Sequence, residues 1–463
     1  MSAKKRKKTD PNGNQALSGN PTAKWVLFIY FCSGVCSLID EVVYVRLLKL
    51  TLSNTVYASS IVVSVFMGGM ALGALIMGRY ADRVINRLRL YALLETCATI
   101  SALSFPLVLR IADKFYRWVF LALDPSPAIL FFFQALISTA IIMIPAMMMG
   151  STLPLLGRYI TDMRHRVGWL VGGLYSLNML GAALGCFLAG FVLIRTVGVM
   201  GTLYMAAAIN LLVAYGGWRL SRYDGIADIP DENVGVPERR NMTEEALEGK
   251  KKGILFSAFF ASGFISIGYE LIWMRSIVYL LGGYTYVFSA VLMTYLIGNV
   301  VGTGIGSYLS KRLKRPELGF AASLTGLGVS GIFYLPWMGL WLSEPAVQIF
   351  PLFNGVMKDM GFNNWIANLS LCHSFIFFIL PSILMGIGFP LAIQSWSRYQ
   401  YGVGQTTGMV YGINAIGAVM GGIVAGFLLI PWMGVQLSIT ILGLLGILLG
   451  TLMAMIFLQK TLP

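Results

Sequence analysis

The chain has 463 residues, of which 57% are hydrophobic and only 12% charged, about half the charged fraction of a soluble protein. Its mean hydropathy is +0.74. So little polar surface excludes a string of soluble domains, and the net charge of +14, gathered in short segments of an otherwise apolar chain, excludes nucleic acid as a partner.

Residues 1–24 open on Lys4, Lys5, Arg6, Lys7 and Lys8 and stay polar to Thr22, which predicts a disordered basic cytosolic tail. A signal peptide does not fit, because the apolar run that follows is long enough to span a bilayer. Spanning helices are expected at 25–48, 55–79, 90–111, 128–150, 169–194 and 199–218, a first six-helix unit over 25–218. Residues 219–252 are rich in Asp, Glu, Arg and Lys and read as a cytosolic linker. Six further spans at 253–280, 285–309, 318–342, 365–393, 405–430 and 435–459 make a second unit over 253–459. The expectation is an all-α polytopic membrane protein with twelve transmembrane helices in two repeats.

With the N-terminus inside, all but eight of the 34 Lys and Arg residues fall on the inner side. Positive charge accumulates on the cytoplasmic side of membrane proteins, so the chain is expected in the cell inner (plasma) membrane with both termini cytoplasmic. The five cysteines, all in apolar segments, form no CxxC pair and join no metal-ligand set. No metal or cofactor is expected.

The two units are copies. SGVCSLIDEVVYVRLL begins at Ser33 and SGFISIGYELIWMRSI at Ser262. A constant shift of 229 pairs Gly34 with Gly263, Glu41 with Glu270 and Arg46 with Arg275; later in each unit a shift of 236 pairs Tyr175 with Tyr411, Asn178 with Asn414 and Gly198 with Gly434. Six crossings per copy give both the same orientation, a parallel repeat about an axis along the membrane normal.

Gly78-Arg79-Tyr80-Ala81-Asp82-Arg83, followed by Arg87, lies between spans two and three. It resembles the loop motif of the major facilitator transporters, which implies that Gly78, Asp82, Arg83 and Arg87 help hold one conformation. The second copy carries Lys311 where Asp82 stands. The string from Ser262 through Tyr269-Glu270-Leu271-Ile272-Trp273-Met274-Arg275 resembles the membrane region of the fused major facilitator/spermidine synthase-like proteins. Many of those carry a soluble aminopropyltransferase domain after the helices. This sequence holds neither such a segment nor its glycine-rich loop, so no enzymatic activity is expected of it.

Ionisable side chains inside a bilayer are costly and mark sites. Glu41 and Glu270 fall in spans one and seven, with Asp40 adjoining; the resemblance implies that spans one, four, seven and ten line a cavity, where Gln134 and His373 would join them. These five form the expected substrate- or proton-binding set. Alternatively the acids brace the helices by pairing with arginines. Arg46 lies about 140° around the helix from Glu41, so the pairs would be crossed, Glu41 with Arg275 and Glu270 with Arg46. Asn178 and Asn414 sit among Gly-x3-Gly spacings and are expected to pack helices. The leading reading is an alternating-access transporter for a small polar or cationic solute, in its sharpest form polyamine-like and proton-coupled, whose partners are the lipid bilayer and the solute. The rival reading is a membrane scaffold or assembly subunit for a separate enzyme, with a protein partner.

Overall fold

In hydrocarbon every backbone N–H and C=O must pair within the chain, and a run of about 20 apolar residues does this by coiling into an α-helix. A computed structural model follows that rule throughout. It describes residues 21–52, 56–123, 127–161, 167–222, 242–282, 285–343, 345–362, 364–399 and 402–459. Most of the predicted tail and residues 223–241 of the predicted linker lie outside the described residues.

The first repeat comprises α1 (Pro21–Leu52), α2 (Val56–Tyr80), α3 (Arg87–Leu123), α4 (Pro127–Ile160), α5 (Val167–Phe187, continued by a π-helical stretch Leu188–Leu193) and α6 (Gly198–Leu220). The second comprises α7 (Met242–Leu281), α8 (Thr285–Arg312), α9 (Pro316–Ser343), a short α10 (Pro345–Asp359), α11 (Trp365–Trp396), α12 (Val403–Val424, continued by a π-helical stretch Ala425–Leu429) and α13 (Ile430–Leu458). The helical run Val403–Leu458 is 56 residues, about 84 Å at 1.5 Å per residue, enough for two crossings. It reverses at Gly434, whose φ of 69° is open to glycine. Its repeat mate Gly198 does the same between α5 and α6, at φ 73°.

The duplication is written into the packing. A Cβ on Gly34 would strike the Asn178 carbonyl, and one on Gly263 the Asn414 carbonyl. Gly73 lies equally close to the Met147 carbonyl, and Gly302 to that of Ile383. Both π-helical stretches occupy equivalent positions, each seating a glycine against a serine of the other repeat: Gly190 on Ser289 and Gly426 on Ser60. The copies differ in their buried cores. Tyr44 stacks on Phe105 at 4.1 Å in the first repeat; Trp273 stacks on Phe378 at 4.7 Å in the second, with Tyr269 and Tyr334 beside it.

Several expected boundaries were too short. α1 begins inside the predicted tail, and the last eleven residues of the predicted linker are already helix, because Met242–Lys252 continues straight into α7. α4 and α11 run through the Gly-Pro steps Gly150–Pro154 and Gly386–Pro390 to Ile160 and Trp396. Neighbouring helices support a proline inside a membrane helix, and Gly150 and Gly386 are where α2 and α8 press against these two. The amphipathic α10 was not anticipated, being too short to span.

Candidate functional site

α1 and α7 bring Glu41 and Glu270 to one central cavity of about 150 Å³ between the repeats. Its lining follows the repeat symmetry. Ser33 and Ser262, Ser37 and Ser266, Tyr175 and Tyr411, and Asn178 and Asn414 all face it in mated pairs. Phe259, Phe389, Met67 and Met385 supply apolar wall. No Lys, Arg or His is among the lining residues, and neither glutamate forms an ion pair or hydrogen bond among the described residues. Two carboxylates therefore share a low-dielectric space with no cation of the protein's own. Removing one buried charge from its partner is costly, and clefts of one sign concentrate the opposite ion.

The expected crossed pairs do not form. Arg275 is exposed, Glu41 and Glu270 make no contact with the arginines, and Arg46 is half-buried elsewhere on α1. Asp40 is not in the cavity. One residue along a helix turns the side chain by about 100°, so Asp40 faces away from the cavity and is 2% exposed, its Oδ1 unpartnered among the described residues. His373 is also outside the lining: its Nδ1 lies 3.2 Å from the Leu369 carbonyl and its ring packs near Phe377. Gln134 is on α4, but its side chain lies outside the described residues. Asn178 and Asn414 each line the cavity and donate across helices, to the carbonyls of Tyr30 at 3.0 Å and Phe259 at 3.3 Å.

The cavity walls extend beyond the four expected helices. α2, α5, α8 and α12 contribute Met70, Tyr175, Tyr295, Asn299 and Tyr411. A signal for some of them lay in the repeat: Ser37/Ser266 and Tyr175/Tyr411 keep a polar group at both copies inside an apolar span. Tyr295 and Asn299 were invisible because their mates are Phe66 and Met70.

Close contacts between the repeats flank the cavity at both ends. At the basic end, where α2 meets α12, Gly78 abuts Gly408. Asp82 accepts hydrogen bonds from the backbone N–H of Gly404 (3.1 Å) and Gln405 (3.0 Å), and Arg158 lies 3.3 Å away. An acid there compensates the positive end of α12. Arg87 donates to the Ala81 carbonyl at 3.2 Å, holding the loop, while Arg83 is exposed. The N-terminus of α5, mate of α12, is held by different chemistry: Gly168 N–H donates to Gln394 Oε1 of α11 at 3.1 Å, and the Lys311 ammonium of α8 stands 5.5 Å above the Trp169 ring. At the opposite end the Gly190–Ser289 and Gly426–Ser60 contacts shut both crossings.

No family profile matches the chain, and no curated protein matches its sequence. Solved structures match its fold. A bacterial homologue of the iron transporter ferroportin, outward-facing, superposes with TM-score 0.57 at 13% identity, over 95% of this chain and 99% of that one. The proton:xylose symporter XylE gives 0.53 at 16%, over 95% and 96%. The human organic anion transporter MFSD10 gives 0.51 at 13%, over 94% and 100%. The chain has the two-repeat fold of the major facilitator superfamily. Identity at this level carries the fold alone.

Proposed function

We propose that this chain is a membrane carrier that moves a small cationic solute by alternating access. The observation that carries it is Glu41 and Glu270 facing one central cavity with no basic residue in its lining. A cation entering there offsets two otherwise uncompensated charges, and a solute with two amino groups, polyamine-like, answers both. The aromatic rings of Phe259, Phe389 and Tyr175 suit ammonium groups as well. Either glutamate would also serve as a proton carrier when the solute leaves. The basic end, with Arg79, Arg158, Arg219 and Lys311, faces the cytoplasm by the charge rule.

The test is thermal unfolding of the purified protein with spermidine, putrescine, xylose or gluconate. A bound solute raises stability by about 2.7 kcal/mol at a hundred times its Kd. The amines are expected to raise Tm by several degrees and the other two to leave it unchanged. The shift should vanish in Glu41→Gln/Glu270→Gln while that variant still unfolds cooperatively. Stabilisation by xylose or gluconate alone, or an undiminished amine shift in the double variant, rejects the reading.

A further inference from the structure

A second concavity, of about 750 Å³, lies on the outer flank of the first repeat, between the basic ends of α3 and α6. None of the residues lining it lines the central cavity. Leu90, Leu93, Leu211 and Ala214 form its walls toward the membrane interior. Toward the surface it ends in Arg89, Asn86 and Trp218. The Arg222 guanidinium lies 3.7 Å over the Trp218 ring, which packs beside Tyr215. No acidic residue lines it. Arg89 and Arg222 are exposed, with no acid paired to either among the described residues.

The mated helix pair of the second repeat is packed differently. In the second repeat the mated helices α9 and α13 close on each other through glycine: Gly328 lies against Gly443 and Gly446, and Gly450 against Thr325. The first repeat has Thr99, Ala207, Asn210 and Ala214 at the mates of Gly328, Gly443, Gly446 and Gly450. There α3 and α6 meet through side chains instead of glycine: the buried Asn210 amide donates to Thr99 Oγ1 and to the Glu95 carbonyl, both at 3.3 Å. The mates of Arg89 and Trp218 are Leu318 and Ala454, so the mated positions lack the cationic and aromatic side chains of this rim.

We propose that this groove binds one anionic glycerophospholipid from the leaflet at the basic end, with an acyl chain along Leu93 and Leu211 and its phosphate at Arg89 and Arg222. A surface apolar at membrane depth and cationic at headgroup depth matches that molecule in both parts. Basic pockets between transmembrane helices on the cytoplasmic side select anionic headgroups, and Trp and Tyr settle at the interface. A zwitterionic lipid brings its own cation to the arginines and loses the advantage.

The test is native mass spectrometry of the delipidated protein titrated with phosphatidylglycerol or phosphatidylcholine. One phosphatidylglycerol is expected to bind at least tenfold more tightly than phosphatidylcholine. Arg89→Ser/Arg222→Ser should erase the preference to within about twofold, and Leu93→Trp, which fills the groove with the arginines intact, should weaken the lipid at least fivefold. Arg312→Ser/Arg315→Ser, at the basic end of the second repeat, should leave the preference unchanged. Equal loss in that control makes the effect general surface charge and overturns the proposal. So does an undiminished preference in Arg89→Ser/Arg222→Ser, or glycerol 3-phosphate competing as well as the whole lipid.

Discussion

Single positions carry two separable burdens in this protein, close approach and charge. Gly263 sits where α7 crosses α12, with the Asn414 backbone in the space a side chain would need. Overpacking of this kind costs roughly 1–3 kcal/mol. Gly263→Val is therefore expected to lower Tm by several degrees, whereas Gly173→Ala, with open space around it, should change Tm little or raise it; a thermal melt of both variants compares them directly. Charge acts at Glu270. Glu270→Gln keeps the shape and loses the carboxylate, so the variant should fold normally yet lose more than half of the spermidine-induced Tm shift. Because both glutamates face one cavity, the losses in Glu41→Gln and Glu270→Gln should not add. A double-mutant cycle on the Tm shift measures that coupling.

Helices matter here through their ends and crossings. The N-terminus of α12 is held by the Asp82 carboxylate on the Gly404 and Gln405 amides. Hydrogen bonds to a charged group contribute about 1.5–3 kcal/mol. Asp82→Ala should therefore shift the population toward states open at the basic end. A cysteine at Thr407, fully buried beside this latch, reports it: in a background without the five native cysteines, Thr407→Cys should react with a water-soluble thiol reagent at least several-fold faster when Asp82 is replaced. Equal rates would mean the latch does not set the equilibrium. The mated crossing relies on Lys311 above Trp169 instead. Identical topology thus hides unequal fastening, and the two sides need not release together.

For the whole molecule, the repeats meet in α2 against α12 and α5 against α8 along much of their length. Ser64 Cβ lies 3.8 Å from where a Cβ on Gly422 would stand, close to the mean separation in a disulfide, about 3.8 Å. Ser64→Cys/Gly422→Cys in the same cysteine-free background is expected to lose both titratable thiols on mild oxidation, fastening the repeats in the closed form. If rocking of the repeats admits the solute, as the proposed carrier requires, the oxidised protein should take up no externally added spermidine and reduction should restore uptake.

The linear chain was enough to define the membrane class, the two copies and the pairing of Glu41 with Glu270, because each depends on composition or on spacing that survives unfolding. It was also enough to place Asn178 and Asn414 among close-packing glycines. It misjudged what depends on direction around a helix axis. Asp40 and Glu41 are neighbours in the chain, yet only one reaches the cavity, and His373 is buried on a cavity helix without entering the lining. The crossed salt bridges failed for the same reason. Tyr295 and Asn299 entered the site without any trace in the repeat, since their positions are set by how α8 rolls against α11. The groove on the flank of the first repeat lay hidden too: Arg89 and Trp218 are far apart in sequence, and only the packed α3–α6 pair brings them to one rim. Composition and periodicity decide that helices form and how often they cross. Rotation and separation are decided by side chains meeting across helices, a contact that exists only once the chain has folded.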